Sequence, residues 1–274
     1  MSKFLKSAHR HSFRDQGIAF PIRVLSVAEA EQYRRECDAL EAQLGGRPRT
    51  IEVRQMHLHF RWAYGLATLP SVLDAVEDLL GPDLLVSATE LFAKHPHDAA
   101  ISIGWHRDGP YMGLDPDRTV TAWIALTDSN RENGCMRFVR EANRRAAPGW
   151  KTRRGEAPSH SENRLPAVAE DQMADVPLHA GEMSLHDVYI LHGSGANQGT
   201  NKRVGFAIRF TTPECRPAHG RPPAILARGD DHYGHFELLA APGGEDDGRA
   251  LDKMRQSARR HLEATLQNLK QPAR

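Results

Sequence analysis

The sequence predicts a mainly β fold, a sandwich or barrel with helices before and after it, and three observations carry that expectation. Short runs of strand texture at 84–92, 101–105, 119–126, 182–185, 188–191 and 203–210 are separated by turn residues, without the intervening helices of a βαβ chain. The last of these runs alternates strictly. Val204, Phe206, Ile208 and Phe210 share one face, while Arg203, Gly205, Ala207 and Arg209 share the other. Before residue 82 and after residue 245 the apolar period changes from two to between three and four, the helical spacing.

Taken in order, the first third reads as helix. Ser26 followed by Glu29 is a capping-box pattern, and Val27, Ala30, Tyr33, Cys37, Leu40 and Leu44 then recur at helical intervals until Gly45-Gly46 stops them. A second helix is expected over 70–80, with Val72, Leu73, Val76, Leu79 and Leu80 inward and Gly81-Pro82 after it. The strands follow from 83 to about 215. They are interrupted by a long polar stretch between 128 and 180, whose part from about 140 to 178 reads as a lid insertion. The tail from about 245 to 271 carries Leu251, Met254, Ala258, Leu262, Leu266 and Leu269 at helical spacing. A length of 274 residues suits a single β domain with helical flanks.

Composition narrows the function classes. A formal net charge of +1 supplies no global field to recruit nucleic acid or an anionic membrane. Cys37, Cys135 and Cys215 lie far apart and form no CxxC pair, which argues against a disulfide framework or a cysteine-ligated zinc and suits a reducing cytoplasm. The first residues have no apolar core of a signal peptide, and no apolar run approaches a membrane span. The expectation is a cytoplasmic protein that acts on a small molecule.

The chemistry starts at Trp105-His106-Arg107-Asp108-Gly109. In an extended chain, residues two apart point to the same side, so His106 and Asp108 can reach one metal ion. Alone the pattern is weak, because short motifs of this kind arise by chance in a chain with 15 histidines. A second element strengthens it. Leu191-His192-Gly193-Ser194-Gly195-Ala196-Asn197 follows an apolar run and precedes the alternating stretch. Two imidazoles and one carboxylate on one face of an octahedron leave three positions open, an arrangement suited to iron(II) that must take a co-substrate and O2. On the alternating stretch, an arginine beside glycine and alanine leaves space in front of its guanidinium for a carboxylate. Arg209 lies six residues, or about 20 Å by strand rise, beyond Arg203. Only one of them can therefore anchor a given carboxylate, and Arg203 is taken as the one at the metal end of the strand.

The stretch from 84 to 210 resembles the phytanoyl-CoA dioxygenase family of iron(II)/2-oxoglutarate oxygenases. The resemblance rests on Lys94 in Phe-Ala-Lys-His-Pro, Trp-His-Arg-Asp at 105–108, Thr-Ala-Trp-Ile-Ala-Leu at 121–126 and Glu-Asn-Gly-Cys-Met at 132–136. His-Gly-Ser-Gly-Ala-Asn at 192–197 and Arg203, eleven residues past His192, complete it. Two departures stand out: Val139-Arg140-Glu141-Ala142-Asn143 replaces a frequent Pro-Gly-Ser-His, and Arg107 stands where glutamine is common. The resemblance implies a double-stranded β-helix, or jelly-roll, core. It implies iron held by His106, Asp108 and His192, and 2-oxoglutarate and O2 at the open positions. Arg203 and Ser194 would hold the distal carboxylate, with Lys94 and Trp123 lining the same pocket. The reaction would yield succinate and CO2 while a substrate C–H is oxidised. Halogenating relatives lack the carboxylate, so Asp108 favours hydroxylation, with desaturation as the alternative and secondary metabolism as one candidate setting.

Other histidines read differently. His57-Leu58-His59 has no carboxylate beside it and reads as structural, and His95-Pro96-His97-Asp98 reads as a turn. His160-Ser161-Glu162 and His235-Phe236-Glu237 lack a downstream His/Arg element, and Arg144, Arg145, Lys151, Arg153 and Arg154 read as a solvated loop. The rival classes are a non-oxygenase jelly roll, whose His/Asp/His set binds zinc structurally or nothing, and a metal-dependent isomerase or lyase. Against the first, no fourth ligand or general-base glutamate stands at the motif. The second would not need Arg203 and Ser194 for a co-substrate.

Overall fold

The computed structural model describes residues 4–48, 52–97, 101–140, 169–243 and 249–269. Along the chain run α1 (Ser7–Gln16), β1 (Ile18–Arg23), α2 (Val27–Gln43), α3 (Arg61–Ala67), α4 (Pro70–Leu80), β2 (Leu84–Lys94) and β3 (Ile103–His106). Then come α5 (Gly109–Met112), β4 (Leu114–Asp115), β5 (Thr119–Ala125), β6 (Met136–Val139), β7 (Met173–Val176), β8 (Glu182–Asp187) and β9 (His192–Ser194). The order ends with β10 (Arg203–Thr211), β11 (Arg216–Pro217), β12 (Pro223–Arg228), β13 (Glu237–Leu238) and α6 (Ala250–Leu269).

The local signals act as the physics requires. Ser26 Oγ accepts from the Glu29 N–H, and Glu29 Oε2 accepts from the Ser26 N–H, so both halves of the capping box form at the start of α2. Pro70 opens α4, where its missing N–H costs nothing. The α4 face carrying Val72, Leu73 and Val76 is buried.

The strands form two main sheets and a two-stranded ribbon, β11-β4. The larger runs β1-β8-β5-β10-β2-β12-β13 and the smaller β3-β9-β6-β7. The alternation of β10 decides how they stack. Val204, Phe206, Ile208 and Phe210 join the core shared with the helices. On the opposite face, Ala207 packs with Trp123 of β5 against Met136 and Phe138 of the smaller sheet. The face that carries Arg203 and Arg209 therefore looks into the space between the sheets. This is the jelly-roll arrangement with flanking helices that the resemblance implied. Fully burying each large apolar side chain of these layers contributes about 1.5–3 kcal/mol.

Three expectations are corrected. The run 188–191 is a turn: the Ile190 N–H donates to Asp187 O at 3.1 Å and the Tyr189 N–H to Asp187 Oδ1 at 2.8 Å. Its apolar residues are nonetheless buried, because the chain crosses here from one sheet to the other. The N-terminal third is not wholly helical, since β1 pairs with β8 at the sheet edge, the position that tolerates Pro21. The polar stretch after 128 has strands at its two ends, Met136 pairing with Val176 and Val139 with Met173. The middle of the expected lid, with His160 and the five basic residues named above, lies outside the described residues.

His57 sits in the core with its Nδ1 3.0 Å from Thr89 Oγ1, and burial pushes its pKa down to about 3. His261 on α6 is lowered to about 3 by burial, with Arg54 and Arg209 adding to it. Both are neutral folded and ordinary histidines unfolded. Above the unfolded value of 6.5 the two states bind equal protons there. As pH falls from there toward 3, the unfolded chain takes up protons that the folded chain refuses. Stability is thus fully present at neutral pH and falls on acidification, by up to about 1.4 kcal/mol per pH unit for each group. Denaturant melts at about pH 6.5 and about pH 5 should show a wild-type loss that shrinks by about 1–2 kcal/mol in His261→Gln. An unchanged loss would mean that His261 titrates normally.

Candidate metal centre and anion pocket

Sheet register brings the two histidines together. His106 at the end of β3 is paired directly with His192 at the start of β9, and their ring centroids are 4.2 Å apart. Asp108 follows in the turn that opens α5, its N–H ladder passing to Gly109, which donates to Val188 O at 2.9 Å. Ligand atoms of His106, Asp108 and His192 all lie within 4.8 Å of one another.

Each imidazole is oriented by its own backbone. His106 Nδ1 lies 2.8 Å from Gly104 O and His192 Nδ1 3.1 Å from Ile190 O, so each Nδ1–H donates to a carbonyl. The Nε2 lone pair of each ring is left as the ligating one. Burial, followed by the neighbouring His106 and His186, holds His192 well below its ordinary value and therefore neutral. For Asp108, burial alone would raise the carboxyl, but Arg209, followed by the neighbouring His106 and His186, outweighs it and holds it well below the usual range. Two imidazoles oriented through Nδ1, with a carboxylate that is ionised at neutral pH, are what a divalent cation requires.

Two neighbours of Asp108, Thr121 and His186, were not singled out in the sequence, and a third, Arg209, was set aside there. Thr121 Oγ1 donates to Asp108 Oδ2 at 3.0 Å, Arg209 Nε is 3.6 Å away and His186 Nε2 is 3.8 Å away. The placement of Arg209 overturns the expectation that Arg203 holds the metal end of β10. It is Arg209 that touches the candidate metal carboxylate. The signals for these residues were faint: His186 and Ser184 alternate with Met183 and Leu185 on β8, as a strand with one polar face would.

Arg203 builds a second polar cluster with the other expected pocket residues. Its Nη1 donates to Gly134 O at 2.8 Å, and its guanidinium lies 4.9 Å over the Trp123 ring. Lys94 Nζ donates to Ser194 Oγ at 2.7 Å, to Gly134 O at 3.2 Å and to Gly195 O. Both basic groups are almost wholly buried, and neither has a carboxylate partner among the described residues. Burial, with Arg203 beside it, pushes Lys94 down to about 6, and burial lowers Arg203 to about 10. Near neutral pH the buried Lys94 is therefore largely uncharged, while Arg203 stays a buried cation. An anionic ligand joining them would restore the Lys94 charge and offset the cost of burying Arg203.

Glycine makes this cluster possible at two points. Gly134 takes φ +77°, and a Cβ there would lie 2.4 Å from Gly195 O. At Gly205 a Cβ would lie 1.9 Å from Trp123 Cζ2, so the indole crosses β10 only because that position is bare. Gly205→Ala should push Trp123 from beneath Arg203. Overpacking typically costs about 1–3 kcal/mol, so a lowered melting temperature and a changed tryptophan emission are expected. Wild-type values for both would show that the indole does not need this space.

A cavity of about 700 Å³ opens on the metal side and is walled by His106, Asp108, Arg209, Phe92, Tyr111 and α6. Arg203, Lys94, Ser194 and Trp123 are not on its wall. His59, expected to be structural, reaches this cavity and bonds Ser257 of α6 at 2.8 Å. Gln55 Nε2 faces both Ser87 O at 3.4 Å and His261 Nδ1 at 3.1 Å. Nδ1 is therefore the acceptor, and His261 carries its proton on Nε2.

Comparison with known proteins agrees with this geometry. The family model described as Phytanoyl-CoA dioxygenase (PhyH) matches residues 13–205. A probable alpha-ketoglutarate-dependent hypophosphite dioxygenase of Stutzerimonas stutzeri is 24% identical over 197 residues, 70% of this chain and 64% of that protein. The matches span less than two thirds of the length of the curated relatives. Among solved structures, the apo form of ThoJ, a non-heme monooxygenase, is 34% identical with a TM-score of 0.80 over 95% of this chain and 98% of its own. CytC3 with Fe(II) and alpha-ketoglutarate superposes with a TM-score of 0.65 at 19% identity, over 88% of this chain and 96% of that one. The carbocyclase SnoK, also alpha-ketoglutarate dependent, does so at 0.64 and 23% identity, over 89% and 96%. At such identities the last two speak for the fold alone. The model match, covering well over half of the residues, makes this chain a member of the phytanoyl-CoA dioxygenase family.

Proposed function

We propose that the chain is an iron(II)- and 2-oxoglutarate-dependent oxygenase that hydroxylates a C–H bond of a small organic molecule. The observation that carries this reading is the pairing of two sites in the space between the two main sheets. One is a His106/Asp108/His192 donor set, and the other is a buried Lys94–Arg203 basic pair with no carboxylate beside it among the described residues. The donor set fits a resident iron(II): three protein ligands, each oriented from behind, leave room for a chelating co-substrate. When bound, iron(II) supplies oxygen activation coupled to decarboxylation of the keto acid.

The chain's own residues do the rest. Arg203 offers a planar pair of N–H groups to a distal carboxylate, and Ser194 and Lys94 stand beside it. Trp123 supports the guanidinium from below and keeps water from it. The cavity volume lies in the range of small-molecule sites, and α6 closes one side of it. Its largely apolar wall, with Phe92, Tyr111, Phe236 and Leu262, suits an organic body more than a bare inorganic anion.

The reading is tested by supplying iron(II), 2-oxoglutarate and O2 and measuring succinate. Succinate should form with matched O2 consumption, and a true substrate should raise the rate and gain one oxygen in mass. Iron-dependent turnover that ignores 2-oxoglutarate would sink the reading and favour the isomerase or lyase class.

A further inference from the structure

Resting on that reading of the triad, we infer that Arg209 and Thr121 are positioning residues that grip the outer oxygen of Asp108 and turn its other oxygen toward the metal. The two carboxylate oxygens have different surroundings. Oδ2 receives the Thr121 hydroxyl at 3.0 Å, with Arg209 Nε at 3.6 Å and His186 Nε2 at 3.8 Å. Oδ1 instead faces His106 Nε2 at 3.5 Å, on the side where the ligand atoms converge. Held this way, the carboxylate presents one oxygen, which keeps the remaining positions for co-substrate and O2.

The grip is itself anchored. Arg209 Nη1 reaches Glu90 Oε2 at 3.2 Å, and Glu90 Oε1 takes Arg54 Nε at 2.8 Å. Arg54 in turn is bridged by backbone to Glu90 on β2. The register adds a second constraint, since Thr121 of β5 lies directly opposite Arg209 of β10 and beside His186 of β8. Three neighbouring strands thus place a hydroxyl donor, a guanidinium and an imidazole around one oxygen atom.

Charge and orientation are separated by the uncharged partner. A cation beside a metal carboxylate repels a dication but also helps keep that carboxylate ionised, so Arg209 removal mixes the two effects, whereas Thr121 bears on orientation alone. If the two position the carboxylate, loss of either weakens binding, by the roughly 10- to 100-fold typical of such outer partners. The experiment titrates the metal-free protein with Co(II), following affinity and the visible d–d spectrum. Wild type, His192→Ala, Arg209→Met, Arg209→Lys and Thr121→Val are compared, with circular dichroism to certify folding. Thr121→Val changes no charge and almost no volume, so it tests the grip even if Arg209→Met folds poorly. The inference expects weaker binding and an altered spectrum in Arg209→Met, the same change in smaller degree in Thr121→Val, and partial recovery in Arg209→Lys. Wild-type affinity and spectrum in folded Thr121→Val, or tighter binding there, would overturn the grip alone. Wild type that binds no Co(II), or His192→Ala that binds it equally well, would overturn the triad and the grip with it.

Discussion

His192→Ala and His106→Ala should each leave a folded protein that retains no iron and turns over no substrate. On the proposed triad each removes one of three protein ligands, and among the described residues no other histidine is placed to substitute. His186 is the nearest spare imidazole, 4.8 Å from the His192 ring, but it faces the outer oxygen of Asp108 and lies outside the cluster of converging ligand atoms. The loss should be to the background of the assay. Iron content after desalting and succinate formation are the measurements, and near wild-type turnover in either variant would make the triad assignment wrong. Asp108→Ala should be as inactive for an additional reason. It leaves Arg209 buried with only Glu90 to balance it and Arg54 together.

The second large effect is expected at Arg203. Its side chain is buried, its Nε has no hydrogen-bond partner among the described residues, and the neighbouring Lys94 is a second basic group without a carboxylate there. If the distal carboxylate of 2-oxoglutarate completes this cluster, Arg203→Ala leaves that carboxylate buried without its main partner. Truncating one member of such a pair costs about 2–5 kcal/mol, or roughly 30-fold to several thousand-fold in affinity. The apparent 2-oxoglutarate requirement should rise by that factor while iron binding persists. Arg203→Lys should recover only part, because an ammonium cannot reproduce the planar fork or its stacking on Trp123. An unchanged requirement in Arg203→Ala would move the co-substrate's carboxylate elsewhere.

Much of this was legible in the chain because local rules govern it. The spacing of His106 and Asp108 needs only an extended backbone, and the alternation along 203–210 correctly put both arginines on the inner face of β10. The capping box of α2 and the glycine after α4 are decided within a few residues. What the sequence concealed depends on register between distant strands. Strand rise measures how far Arg209 stands from Arg203, but not which of them lies opposite Thr121 and hence beside Asp108. The same limit hid His186, Arg54 and Glu90, which reach the site from β8, the segment before α3 and β2. It also hid His261, brought to the cavity wall by a helix more than 150 residues beyond Asp108 in the chain. The buried run 188–191 misled for another reason: apolarity reports burial, and a turn between two sheets is buried as thoroughly as a strand.

The most direct test of the account is anaerobic addition of iron(II) and then 2-oxoglutarate to the metal-free protein, followed by visible absorption. A keto acid chelated to iron(II) gives a weak metal-to-ligand charge-transfer band that neither component shows alone. The account predicts that band in wild type, its absence in His192→Ala, and its appearance in Arg203→Ala only at much higher 2-oxoglutarate. No band in folded wild-type protein, or an equal band in His192→Ala, would contradict it.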